Sequence, residues 1–242
     1  MPLHDHFHGP MSLELPWGTL HASWASDLAR GLNARWLLRP FRALEHAFAG
    51  PGVEIDIATM QREGAEFVGT NGNAVATLPQ TWTAPPALAA EPLAVPESYE
   101  VRIFEGPGGW NLVGAIELVS PGNKDREAKC QAFVTKCAAY LHAGVSVVVV
   151  DVVTNRRANF HNRILDHLGI ASARLPDDVT LYASAYRPVE RDGKTELDIW
   201  CEACRVGADL PTMPLRLTGD VFVPVELESA YAETCRSHGA LF

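Results

Sequence analysis

Asn111-Leu112-Val113-Gly114-Ala115-Ile116-Glu117-Leu118-Val119-Ser120, a charged stretch over 125–142, and then Val145-Ser146-Val147-Val148-Val149-Val150-Asp151-Val152-Val153-Thr154 form the passage on which the fold turns. The first segment alternates and reads as a strand; the second carries helical periodicity and stops at Gly144. The third is a nearly continuous valine run, the mark of a strand buried on both faces. An intervening helix makes the connection long enough for the two strands to run parallel.

On the amino-terminal side of this passage, Gly106-Pro107-Gly108-Gly109 predicts a hairpin joining a strand at 99–104 to the strand at 111–120. Val53-Glu54-Ile55-Asp56-Ile57-Ala58 alternates strictly after the turn Gly50-Pro51-Gly52 and is read as a further strand. Leu20, Trp24, Leu28 and Leu32 share one face of a helix over 20–38, which Pro40 ends. Beyond the valine strand the pattern predicts a short helix (159–168), a strand hairpin (180–187 and 196–204) and a last helix over 227–238. The expectation is one α/β domain over 1–242 with a mixed sheet. Its core, 20–154, is ordered helix, three strands, helix, strand. A Pro/Ala-rich insertion falls at 71–96, and an αβ extension over 155–242 packs on the core.

With 242 residues, 47% hydrophobic and 20% charged, the chain has the profile of a globular protein with a substantial core. No apolar run is long enough to cross a bilayer, and the leader has no basic region followed by an apolar stretch. The expected compartment is therefore the cytoplasm, with no membrane partner. Five cysteines, an odd number, do not suggest a disulfide framework. A net charge of -9 gives no general attraction to phosphate, so nucleic-acid binding requires a local basic patch.

The informative residues break their local pattern. Glu117 sits on one strand face with Val113, Ala115 and Val119, where an unpaired carboxylate is costly. Glu54 and Asp56 share a face of the 53–58 strand; they either hold a hard divalent cation with a neighbouring carboxylate or face solvent. Lys136 interrupts the apolar stripe Phe133, Cys137, Tyr140, Leu141, and either snorkels to water or points at those carboxylates. Lys124, Arg126 and Lys129 flank the start of the helix, and Arg156, Arg157 and Arg163 follow the valine strand. They form a candidate phosphate-binding edge or an ordinary solvated one.

The run Ala115-Ile116-Glu117-Leu118-Val119-Ser120-Pro121, then Lys136 with Tyr140, then Ala143-Gly144-Val145 and a strand ending at Asp151, resembles the Uma-type restriction endonucleases of the PD-(D/E)XK superfamily. A resemblance over nearly the whole chain is to the domain-of-unknown-function family 4058. It rests on Val53 to Ala58, Glu117 to Lys124, Val150-Asp151-Val152-Val153-Thr154, Tyr186-Arg187-Pro188 and the stretch 231–236. The superfamily resemblance implies a restriction-endonuclease-like core in which Asp56 is the motif Asp, Glu117 the motif acid and Lys136 the motif lysine, moved from strand to helix. Asp56, Glu117 and a backbone carbonyl near Leu118 would then hold Mg²⁺ or Mn²⁺. Glu54 would be an outer base or second ligand, and the implied reaction is metal-dependent phosphodiester hydrolysis, on DNA, by a chain able to act as a homodimer. Departures are Ile55 in a position that is often Pro, a long segment between Asp56 and Glu117, and a first-helix acid for which His21 or Asp27 are the nearest candidates. The alternative is a non-catalytic relative with a binding or regulatory role.

Two further constellations stand in the sequence. Cys201, Cys204, Cys235 and His238 have four-ligand zinc spacing, although structural zinc is the less expected reading beside small buried thiols. His4, His6 and His8 belong to a polar leader expected to be a mobile tail rather than a metal site.

Overall fold

The computed structural model describes residues 1–38, 41–48, 54–62, 83, 85–92 and 110–240. Helices are α1 (Met11–Glu14), α2 (Trp17–Arg35), α3 (Glu127–His142), α4 (Phe160–His167) and α5 (Leu227–Ser237). Strands are β1 (Arg42–Phe48), β2 (Glu54–Arg62), β3 (Ala89–Pro92), β4 (Trp110–Leu118), β5 (Ser146–Asp151), β6 (Tyr182–Arg191), β7 (Lys194–Ala203), β8 (Thr212–Arg216) and β9 (Phe222–Glu226).

The chain is α/β, with a mixed sheet of order β1-β2-β4-β5-β6-β7-β3 and a separate ribbon, β8-β9. The pair β4–β5 is parallel, joined through α3, as the length of that connection requires. The α3–β5 turn depends on Gly144, whose φ of +77° lets the chain reverse while Val145 N–H donates to the Tyr140 carbonyl at 2.9 Å.

All six residues of β5 are buried, because each sheet face is covered. On one face Ile116, Leu118, Val148 and Val150 pack with Leu20, Trp24 and Leu28 of α2, the β8–β9 ribbon and Tyr231 of α5. Gly114 lets the ribbon approach, since a Cβ there would meet Leu215 Cδ1 at 3.2 Å. On the other face Ala115, Val119, Val147 and Val149 pack with Phe133 and Cys137 of α3 and Phe160 and Ile164 of α4.

Several expectations are redrawn. The antiparallel neighbour of β4 is β2; the strand expected at 99–104 lies outside the described residues. Residues beyond 155 supply β6 and β7 to the same sheet instead of packing on it as an added layer. Within the Pro/Ala-rich stretch, 89–92 forms β3 on the free edge of β7. The leader is a docked segment rather than a mobile tail. Leu3 is buried, the terminal amine meets Glu228 at 2.5 Å, and buried His6 bridges the Leu15 carbonyl (3.0 Å) and the Tyr231 hydroxyl (2.7 Å). Among the described residues no helix is long and apolar enough to cross a membrane.

Candidate functional site

The site lies at the carboxyl ends of β4 and β5. Glu117 is paired in register with Val149, so Glu117, Val149 and then Asp151 fall on the same sheet face, the one covered by α3. Each carboxylate receives one lysine. Lys136, from the middle of α3, places its Nζ 2.7 Å from Glu117 Oε2; the carboxylate is 1% exposed and the lysine side chain 18%. Lys124 ends the 3-10 turn Pro121–Lys124 and meets Asp151 Oδ2 at 2.7 Å, with both side chains fully buried.

Local sequence explains how both lysines arrive. Pro121 starts the turn directly after the strand, and the Asn123 side chain accepts from Ser120 N–H (2.8 Å) and Ser120 Oγ (3.0 Å). This box tightens the exit from β4 and turns Lys124 back under β5. In α3, Lys136 falls between Phe133 and Cys137, beside the apolar stripe, and its ammonium stands 5.4 Å from the Phe133 ring.

Asp151 is more than a lysine partner. Its Oδ1 accepts the Val153 N–H at 3.3 Å, and the nearby Tyr182 hydroxyl also pulls its pKa down. Burial pushes its carboxyl up to about 6, against the pull of Lys124 and these donors. Burial likewise raises the Cys137 thiol well above its ordinary range, which argues against a thiolate role beside Glu117.

Asp56 and Glu54 lie on β2, where the backbone is described and the side chains lie outside the described residues. Ile57 pairs with Ile116, so the antiparallel pairing of β2 and β4 reaches the residues next to Asp56 and Glu117. Glu54, the first residue of β2, is paired with Phe48. Of the two first-helix candidates, His21 reaches the site, its Nε2 donating to the Leu118 carbonyl at 3.2 Å, with Trp17 stacked on its ring. One lone pair of the carbonyl expected to face a metal is therefore used. Asp27 is at the α2–α5 contact, bound to Thr234 and Arg30.

Lys124 corrects the expected nucleic-acid edge, because a fully buried ammonium held by Asp151 is not presented to a backbone phosphate. Arg126, Lys129, Arg156 and Arg157 are exposed. Arg163, on α4, binds Glu127 at the start of α3 at 2.6 Å and so ties the two basic segments together. The cysteines divide between the two sheet faces: Cys204 and Cys235 lie in the α2 side of the core, and Cys201 packs against the α3 side. His238 hydrogen-bonds Ser23. Among the described residues no three His, Cys, Asp or Glu side chains group as metal ligands.

The second acid, Asp151, and its buried partner were missed in the sequence. A signal was present: Asp151 interrupts a valine run read as buried on both faces, where a lone charge demands a partner. The chain matches no family model, no curated protein and no solved structure.

Proposed function

We propose that the chain is a metal-dependent nuclease with a PD-(D/E)XK-like site, in which Asp56 and Glu117 hold Mg²⁺ or Mn²⁺ and Lys136 serves the attacking water. The observation that carries this reading is the 2.7 Å contact between Lys136 and Glu117 across a strand–helix–parallel-strand unit. The pairing of Ile57 with Ile116, the neighbours of Asp56 and Glu117, supports it further.

Carboxylates are hard oxygen donors and fit a hard divalent cation. When bound, such an ion supplies a more acidic water and polarises the phosphoryl oxygen. The chain's own contribution is positional. Glu117 is fixed by its rigid strand, and Lys136, the more exposed partner, is able to turn its ammonium from the carboxylate to a water or a phosphoryl oxygen. His21 and the Trp17 ring hold the Leu118 carbonyl beside them. The exposed Arg126, Lys129, Arg156 and Arg157 would take the DNA backbone. Along 125–129 and 155–163 five cations face only Asp125 and Glu127, a local excess of positive charge in an acidic protein.

The decisive experiment is calorimetric titration with Mg²⁺ and Mn²⁺ of the parent, Asp56→Ala and Glu117→Ala, followed by DNA cleavage with Lys136→Ala. Metal binding lost in both carboxylate variants, with cleavage by the parent falling about 100-fold or more in Lys136→Ala, is the expected result. A parent that binds neither ion supports the second reading, a non-catalytic relative. Burial of Lys124, which removes one cation from the basic edge, favours that alternative.

A further inference from the structure

At the opposite end of the sheet from Glu117 and Asp151 there is a cavity of about 600 Å³. It is framed by the α3–β5 turn, the β6–β7 hairpin and the β8–β9 turn, with His142, Arg187, Glu190, Arg216 and Asp220 as its ionisable lining. Leu141, Pro188 and Val189 supply an apolar wall.

Two guanidiniums from different sheets converge there. Arg187, on β6, is mostly buried; its terminal nitrogens meet Asp198 (3.5 Å) and Asp220, and its carbon lies 4.9 Å from the Phe222 ring centroid. Its Nε is buried with no acceptor among the described residues. Arg216, at the end of β8, uses its own Nε on the Gly219 carbonyl at 2.8 Å, leaving both terminal nitrogens for another acceptor. Burial lowers the pKa of Arg216, and the nearby Arg187 lowers it further. Two cations held together beside a cavity, one with a buried unmet donor, are unfavourable unless an anion sits between them.

Within the cavity the anion on Arg187 is Asp220, whose side chain is 90% exposed on the tip of a turn. Asp198, the other partner of Arg187, is already held by both terminal nitrogens of Arg191, at 2.8 and 2.7 Å. The Asp220 carboxylate thus stands as a displaceable occupant of an anion position. Gly219, at φ +54°, supplies a backbone that can carry the turn.

We infer that this cavity is a binding site for a small phosphorylated ligand of nucleotide size, with Arg187 and Arg216 gripping the phosphate and Asp220 acting as the carboxylate it displaces. Forked donors suit a phosphate dianion, and the volume leaves room for an organic moiety against Leu141, Pro188 and Val189.

The test is calorimetric titration of the full chain at low salt with inorganic phosphate and with AMP. Parent protein should bind both, AMP more tightly. Arg216→Gln should weaken both by about ten- to a hundredfold. Asp220→Asn should tighten both several-fold by removing the competing carboxylate. Among the described residues Arg216 makes the one bond to Gly219, so its variant is expected to fold, with circular dichroism as the check; the Asp220→Asn arm reads out through a gain rather than a loss. Absence of binding in both parent and Asp220→Asn overturns the site. So does binding that survives Arg216→Gln but disappears in Lys136→Met, which would assign the anion to the other end of the sheet.

Discussion

Glu117–Lys136 and Asp151–Lys124 are two copies of the same contact, a carboxylate on one of two neighbouring parallel strands and a lysine 2.7 Å away. They differ in access to water. Lys124 and Asp151 are sealed, and their charges are balanced by each other, Val153 N–H and the Tyr182 hydroxyl. Lys136 keeps part of its side chain in solvent while Glu117 does not. A sealed pair has no route to a substrate and acts as a clasp, fastening the turn after β4 under β5. A pair with one open partner is able to exchange that partner for a water, a metal or a phosphate. Partial exposure of one lysine side chain, not the identity of the residues, separates the structural pair from the candidate site.

The largest effect should follow from opening the clasp. Lys124→Met leaves the Asp151 carboxylate buried without its cation and is expected to lower unfolding stability by about 3–5 kcal/mol. Urea titration measures this. Adding Asp151→Asn, which removes the orphaned charge and keeps an acceptor for Val153 N–H, should recover most of the loss. Equal losses in the single and double variants would mean that the pair is not coupled and would break the comparison.

A smaller effect concerns pH. Asp151 titrates at about 6 in the folded protein against 3.8 when free, so the folded state holds the proton more tightly. Its contribution is fully present below about pH 4 and is lost as pH rises through about 6, amounting to about 2–3 kcal/mol. Parent stability relative to Asp151→Asn should therefore decline between pH 4 and pH 6. A difference that grows over this window would show that Lys124, rather than burial, dominates the carboxyl.

The sequence makes the clasp hard to foresee for a physical reason. Glu117 and Lys136 each violate a regular pattern, alternation in a strand and a stripe in a helix, so both are visible as anomalies. Lys124 lies in an irregular turn, where a charge violates nothing, and only the Ser120–Asn123 box that aims it inward makes it a core residue. Elements with strong periodicity, α2, α3, β4 and β5, are legible for the same reason. Strands β1, β3, β8 and β9 are not, because edge and ribbon strands take their pairing from distant partners rather than from local alternation. The docked leader depends likewise on contacts far along the chain, His6 to Tyr231 and the terminal amine to Glu228, which no local reading of three histidines contains.

The smallest effect on stability, and the sharpest contrast with Lys124, belongs to Lys136. Its side chain is partly exposed, so part of its attraction to Glu117 is screened and water can reach the rim of the pair when the lysine is removed. The aliphatic stem of a methionine preserves the packing beside Phe133 that the lysine stem provides. Lys136→Met leaves the buried Glu117 carboxylate without its cation but with water closer than at Asp151, and is therefore expected to cost about 2 kcal/mol in urea titration, below Lys124→Met, although both lysines stand the same distance from their carboxylates. High salt should narrow the gap between parent and Lys136→Met while leaving the loss in Lys124→Met nearly unchanged, because ions reach only the open pair. If both lysine variants lose the same stability and respond alike to salt, Glu117–Lys136 is a second clasp, and the partly exposed lysine no longer marks it as the working pair.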